Sequence, residues 1–135
     1  MNTLHAVITK IDHKESLYFL ETDASGIPLS ILLFDLEPCF RVGSKVNVLF
    51  KETEVSLAKK LTGEVSLSNR FTAIISGIKQ GCMLADIALQ SKAGELSSII
   101  TMKALDKLEL KTNDEVSVLI KASQLSLDAR HDNSF

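Results

Sequence analysis

The sequence predicts an all-β chain with short helices, arranged as two five-stranded barrels in tandem. Three observations carry that prediction. Short apolar runs rich in Val, Ile and Leu alternate with turn signals along the chain. The order of runs in the first half returns in the second. One helix-spaced stripe, Met102, Leu105 and Leu108, falls between the third and fourth runs of the second half.

Residues 4–11 are rich in β-branched side chains and have no helix cap before them, so they read as a strand. The charged residues 12–15 turn the chain into a second strand at 16–22. Asp23, Ala24, Ser25 and Gly26 form the next turn, with Gly26 available for positive φ. Pro28 opens a third strand, 28–34, where a missing N–H matters least. Residues 35–40 make a short helical or irregular connection interrupted by Pro38. Val42, Gly43 and Ser44 lead into a fourth strand, 45–50, and 54–57 is a brief fifth. The polar stretch 59–65, with Lys59, Lys60 and Gly63, reads as a solvated linker.

The pattern then restarts. Strands are expected at 69–79, 83–90, 96–101, 115–121 and 125–127, with a helix at 102–108. Asn113 stands where the first half has Gly43, and asparagine best tolerates left-handed geometry among the non-glycine residues. Ala6, Ile11, Leu17 and Leu29 correspond to Ala73, Ile78, Leu84 and Leu96 at one constant spacing. Past the helix, Val46, Leu49, Lys51 and Ser56 correspond to Val116, Leu119, Lys121 and Ser126, the second half having absorbed a short insertion in a connection. Five strands with a helix between the third and fourth is OB-like barrel topology. The expected organisation is a degenerate repeat at 1–58, a linker at 59–65, a repeat with the ligand motif at 66–128 and a flexible tail at 129–135. A unit of ~60 residues buries only about 60% of its chain surface. The copies are therefore expected to pack together and to assemble further, as a homo-oligomer (dimer or trimer).

Composition narrows the function. Hydrophobic residues at 45% and charged residues at 24% argue against disorder. A net charge of −2 and few aromatics argue against direct nucleic-acid binding. No apolar run approaches the ~20 residues of a membrane span, and the N-terminus lacks the apolar core of a signal peptide. A cytoplasmic location with no membrane partner is expected. Cys39 and Cys82 lack metal-ligand spacing and read as reduced, buried thiols. His5, His13 and His131 have no catalytic or metal spacing, and Asp35 and Glu37 have no cleft partner, so no enzyme activity and no protein-held metal is expected.

Hydrogen-bond donors collect at strand ends of the second half. Ser66, Ser68, Asn69 and Arg70 stand at the start of its first strand, Thr101 at the end of its third, and Lys121 and Ser123 at the close of its fourth. Few carboxylates accompany them. A tetrahedral dianion has acceptor oxygens only, so it needs converging N–H and O–H groups and enough positive charge to offset desolvation.

The order of these pieces carries a resemblance. Ser66-Leu67-Ser68-Asn69-Arg70-Phe71 is similar to an S-A-R-N-Q/R-φ opening, and Ile78-Lys79-Gln80-Gly81 to the I-x-x-G turn that follows it. Ser98-Ile99-Ile100-Thr101, Leu108-Glu109-Leu110, Asp114-Glu115-Val116 and Ile120-Lys121-Ala122 come next. Residues 66–127 thus resemble the molybdate-binding Mop (molbindin, TOBE-type) domain family, and the whole chain its tandem di-Mop form. The resemblance implies molybdate or tungstate as a bound, non-catalytic ligand at contacts between Mop units. It implies Ser66, Ser68, Asn69, Arg70, Lys121, Ala122 and Ser123 on one surface. Thr101, with Lys103 and Ala104 nearby, would come from a neighbouring subunit.

Departures accompany it. Ser68 takes the place of the family arginine, and Ala104 stands where some relatives have serine. In the first half only Asn2 matches, to Asn69; Phe34 replaces Thr101, and Lys51-Glu52 replaces Lys121-Ala122. A carboxylate beside the lysine repels a dianion, so the first half is expected to supply packing rather than a complete site. The implied function is storage, homeostasis or sensing of the oxyanion. The alternative is an OB-type interaction or regulatory module with a decayed oxyanion site, related to the sensing part of a molybdate-responsive regulator or transporter ATPase.

Overall fold

The computed structural model describes residues 1–130. β1 (Asn2–Lys14), β2 (Leu17–Ala24) and β3 (Ile27–Leu33) form an antiparallel meander, and β4 (Lys45–Phe50) returns along the far side of β1. β6 (Asn69–Gln80), β7 (Leu84–Ser91), β8 (Gly94–Thr101) and β9 (Glu115–Ile120) repeat that layout, with α1 (Met102–Leu108) before β9. Burial alternates along the strands as a half-buried sheet requires. Leu4, Ala6 and Ile8 point inward from β1, as Phe71, Ala73 and Ile75 do from β6. The register shifts at equivalent places, between Ile8 and Lys10 and between Ile75 and Gly77, so both long strands carry the same bulge.

The fifth strand of each sheet comes from the other half. β5 (Ser56–Ala58) pairs with β9, and β10 (Ser126–Ala129) pairs with β4. The orders are β10-β4-β1-β2-β3 and β5-β9-β6-β7-β8. A 3-10 turn precedes each exchanged strand and crosses with it: Glu52–Glu54 packs on β8, and Ala122–Gln124 on β3. The fully buried Ser98 of β8 donates its Oγ to the Val55 carbonyl at 2.8 Å. Each OB-like barrel is therefore closed by a segment of the other repeat. The division expected at 58 and 66 separates the sequence repeats but not the sheets. A three-residue strand carries too little pattern to announce which sheet it joins.

The turns follow the repeat closely. Gly43 (φ 94) donates its N–H to the Ile8 carbonyl at 2.8 Å, and Asn113 (φ 77) donates to Ile75 at 2.7 Å. Asparagine thus holds the left-handed position where it was expected to.

Several sequence expectations are corrected. Of the two forms expected for residues 35–40, helical or irregular, the connection takes the irregular one, with Phe40 N–H donating to the Glu37 carbonyl at 3.1 Å. Cys39 and Cys82 are both exposed, because both lie in connections rather than on inward strand faces. Lys59 is not a solvated linker residue. Its Nζ donates to the carbonyls of Leu108 (3.3 Å) and Glu109 (2.9 Å) at the end of α1, and pairs with Asp114 at 3.3 Å. Those carbonyls are free because a helix leaves its last acceptors unpaired. Strand β10 takes in Ala129, where the flexible tail was expected to start, and Arg130 N–H donates to the Lys45 carbonyl at 3.3 Å. The rest of that expected tail, and His131, lie outside the described residues. No helix among the described residues is long and apolar enough to cross a membrane.

Candidate oxyanion site

Asn69 and Ile120 form the last pair of the β6–β9 ladder, so Ser68 and Lys121 leave the sheet as adjacent chain ends. Beyond Lys121 the chain folds into the 3-10 turn Ala122–Gln124, closed by Gln124 N–H donating to the Lys121 carbonyl at 3.0 Å. Ala122 is buried against the protein, whereas Lys121 and Ser123 on either side are exposed, as are Ser66 and Ser68. The turn rests on β3 of the first repeat. Segments 66–70 and 121–123 thus meet at one end of the second sheet. They supply three hydroxyls and an ammonium, and neither contains a carboxylate. That donor set fits a small dianion.

Two of the expected ligands are used differently. Asn69 is fully buried; its Oδ1 accepts from Ser30 N–H at 2.7 Å and its Nδ2 donates to the Ser30 carbonyl at 3.0 Å. Strand alternation sends Arg70 to the opposite face from Asn69 and Phe71. There its guanidinium donates to the carbonyls of Gly63 (2.7 Å) and Leu61 (3.3 Å), pinning the linker. A groove of about 390 Å³ lies alongside, lined by Lys60, Leu61, Arg70, Thr72, Glu115 and Ser117 among others. Glu115 makes that groove poor for an anion. Nearby, Asp114 has its pKa lowered, first by the hydrogen bond from Lys111 N–H and then by Lys59, partly opposed by desolvation.

Thr101 and Lys103 stand at the other end of the sheet. Thr101 pairs with Leu84, level with the end of β6, while Asn69 is its start. At ~3.3 Å per residue the contour of β6 between those two levels is about 36 Å. Thr101 caps α1: its Oγ1 accepts from Ala104 N–H at 3.0 Å, which leaves the hydroxyl hydrogen free to donate outward. Beside it Met83 (79%) and Leu84 (54%) are exposed.

The equivalent places in the first repeat have a different chemistry. Glu52, with its carboxylate 2.8 Å from the Met1 amine, stands in the place of Ala122. That contact lowers its pKa. Glu54 accepts from Lys51 N–H at 3.0 Å. Phe34, 75% exposed, takes the place of Thr101. Among the described residues no group of three or more His, Cys, Asp or Glu is placed to hold a metal ion.

The TOBE domain model matches residues 66–127. Residues 66–127, the second repeat, form a TOBE domain. Among solved structures it is similar to ModG, a cytoplasmic molybdate-binding protein with molybdate bound, at 24% identity and a TM-score of 0.89 over 96% of both chains. That likeness shows the fold through both repeats. A molybdate-binding protein from Sporomusa ovata is 32% identical over 44% of this chain and 90% of its own, with a TM-score of 0.43. No curated protein matches the chain. The TOBE domain match spans both donor segments, from Ser66 to the strand after Ser123. The hold of Ser30 on Asn69 and the tie of Lys59 to the end of α1 escaped the sequence reading. A lone serine and a linker lysine carry no motif.

Proposed function

We propose that the protein binds a tetrahedral oxyanion, molybdate or tungstate, without catalysing a reaction, and serves intracellular storage, homeostasis or sensing of that ion in the cytoplasm. The observation that carries this reading is the meeting of segments 66–70 and 121–123, rich in donors and free of carboxylates, within a TOBE domain. The molybdate bound to ModG supports the choice of ligand class. Ser66, Ser68, Lys121 and Ser123 are the direct donors, with Ala122 shaping the floor and Arg70 adding positive charge from behind the strand.

Thr101 and Lys103 complete the site from a second copy of the chain, since one chain holds them a barrel's length away. The exposed Met83 and Leu84 beside Thr101 favour such a contact. The protein is then a homo-oligomer whose ligand sits in the seam. Charge-assisted hydrogen bonds contribute on the order of 1.5–3 kcal/mol each. Five or six, less the cost of ordering, reach the ~8 kcal/mol of a micromolar complex. Titration calorimetry with molybdate, tungstate and sulfate is the test. Saturable heat with a heavy oxyanion and little with sulfate is expected; silence with both heavy oxyanions overturns the reading.

One observation favours a second reading. Ser68 removes a cation from the motif, and Arg70 spends its guanidinium on linker carbonyls. An OB-type interaction or regulatory module with a decayed site has those features. Partners captured equally well with and without molybdate, from a chain that binds no oxyanion, support it.

A further inference from the structure

Two buried amides occupy equivalent places in unequal surroundings. β3 and β8 are edge strands, and an edge strand presents unpaired N–H and C=O groups. Asn69 satisfies both groups of Ser30, at 2.7 and 3.0 Å. Asn2 satisfies both groups of Ser97, at 2.8 and 2.8 Å. A carboxamide carries the same donor and acceptor as a peptide unit, so each side chain acts as a strand one residue long. Asn69 is buried and bonded on both its oxygen and its nitrogen, whereas Ser66 and Ser68 are exposed.

We propose that Asn69 is a positioning residue for the oxyanion site and not one of its ligands. Its two bonds to Ser30 fix the first residue of β6, and with it Ser68, on the edge of the first repeat. The 3-10 turn Ala122–Gln124 rests on that same strand, β3. Both donor segments therefore share one bed, and the first repeat takes part in a site whose ligands it does not supply. This rests on the oxyanion reading above. Asn2 is the internal control: it makes the same bonds with little exposure, but beside Glu52, where no dianion belongs.

The experiment uses the whole chain and molybdate, with thermal melting and titration calorimetry run in parallel. Asn69→Ala and Asn2→Ala lower the melting temperature by similar amounts. Asn69→Ala weakens molybdate binding at least tenfold, and Asn2→Ala less than twofold. Ser30→Pro removes the backbone donor to Asn69 while leaving Asn69 unchanged, and weakens binding as Asn69→Ala does; Ser97→Pro is its control. Should Asn69→Ala not fold, the two proline variants carry the comparison. Equal losses for the two asparagine variants, or wild-type affinity in Asn69→Ala, overturn the proposal. So does weak binding in Asn69→Ala with normal binding in Ser30→Pro, which makes the side chain a ligand after all. A wild-type chain that gives no heat overturns the oxyanion reading, and this role with it. Binding by the wild type with Asn69→Ala unaffected overturns this role alone.

Discussion

Replacing Leu125 by alanine tests the strand exchange. Leu125 belongs to the second repeat by sequence and is 3% exposed in the core. The 3-10 turn before it packs on β3, and the strand after it pairs with β4. Truncating a buried leucine costs about 2–5 kcal/mol. Leu125 lies where a short turn has some room to settle, so about 3 kcal/mol is expected. A domain of this size has a total stability of ~5–15 kcal/mol, so the change is large. It lowers the melting temperature by ~10 °C, or the urea midpoint by ~1.5 M at a slope of ~2 kcal/mol/M. Tyr18 in β2 is the one tyrosine of a chain without tryptophan, so its fluorescence reports the first sheet. With the exchange, the Tyr18 transition moves together with the circular-dichroism transition. A Tyr18 midpoint that stays put while the circular dichroism shifts refutes the exchange, because Leu125 would then serve only its own repeat.

Three further predictions follow from contacts already described. Asp114 has a depressed pKa, so the hydrogen bond it accepts from Lys111 N–H and its tie to Lys59 contribute above the ordinary carboxylate range and are lost as pH falls through the lower, folded value; melting from pH 7 to 2 should show an acid loss that Asp114→Asn lacks. Thr101→Ala should cost about 1 kcal/mol of stability through loss of the α1 cap, and Thr101→Ser should restore most of it in urea unfolding. Both cysteines should react with a thiol reagent in the folded protein, two per chain; reaction only after denaturation would contradict their exposure.

The barrel scaffold was legible because its signals are periodic and repeated. Alternating burial in β1 and β6, the Gly43–Asn113 correspondence and the Met102, Leu105, Leu108 stripe each leave a mark in the chain. The donor segments were legible as an ordered motif. What escaped the reading depends on partners distant in sequence. The sheet that β5 joins, the hold of Lys59 on α1 and the bond between Asn69 and Ser30 are choices among chemically similar partners. Asn69 shows the limit well: its place in the motif was plain, but a motif does not say whether an amide faces an ion or a backbone.

Since each half keeps the other's last strand, the chain cannot be trimmed to its TOBE domain without leaving that portion unclosed. The half that carries Phe34 where the other has Thr101, and Glu52 where the other has Ala122, serves its neighbour by topology rather than by chemistry.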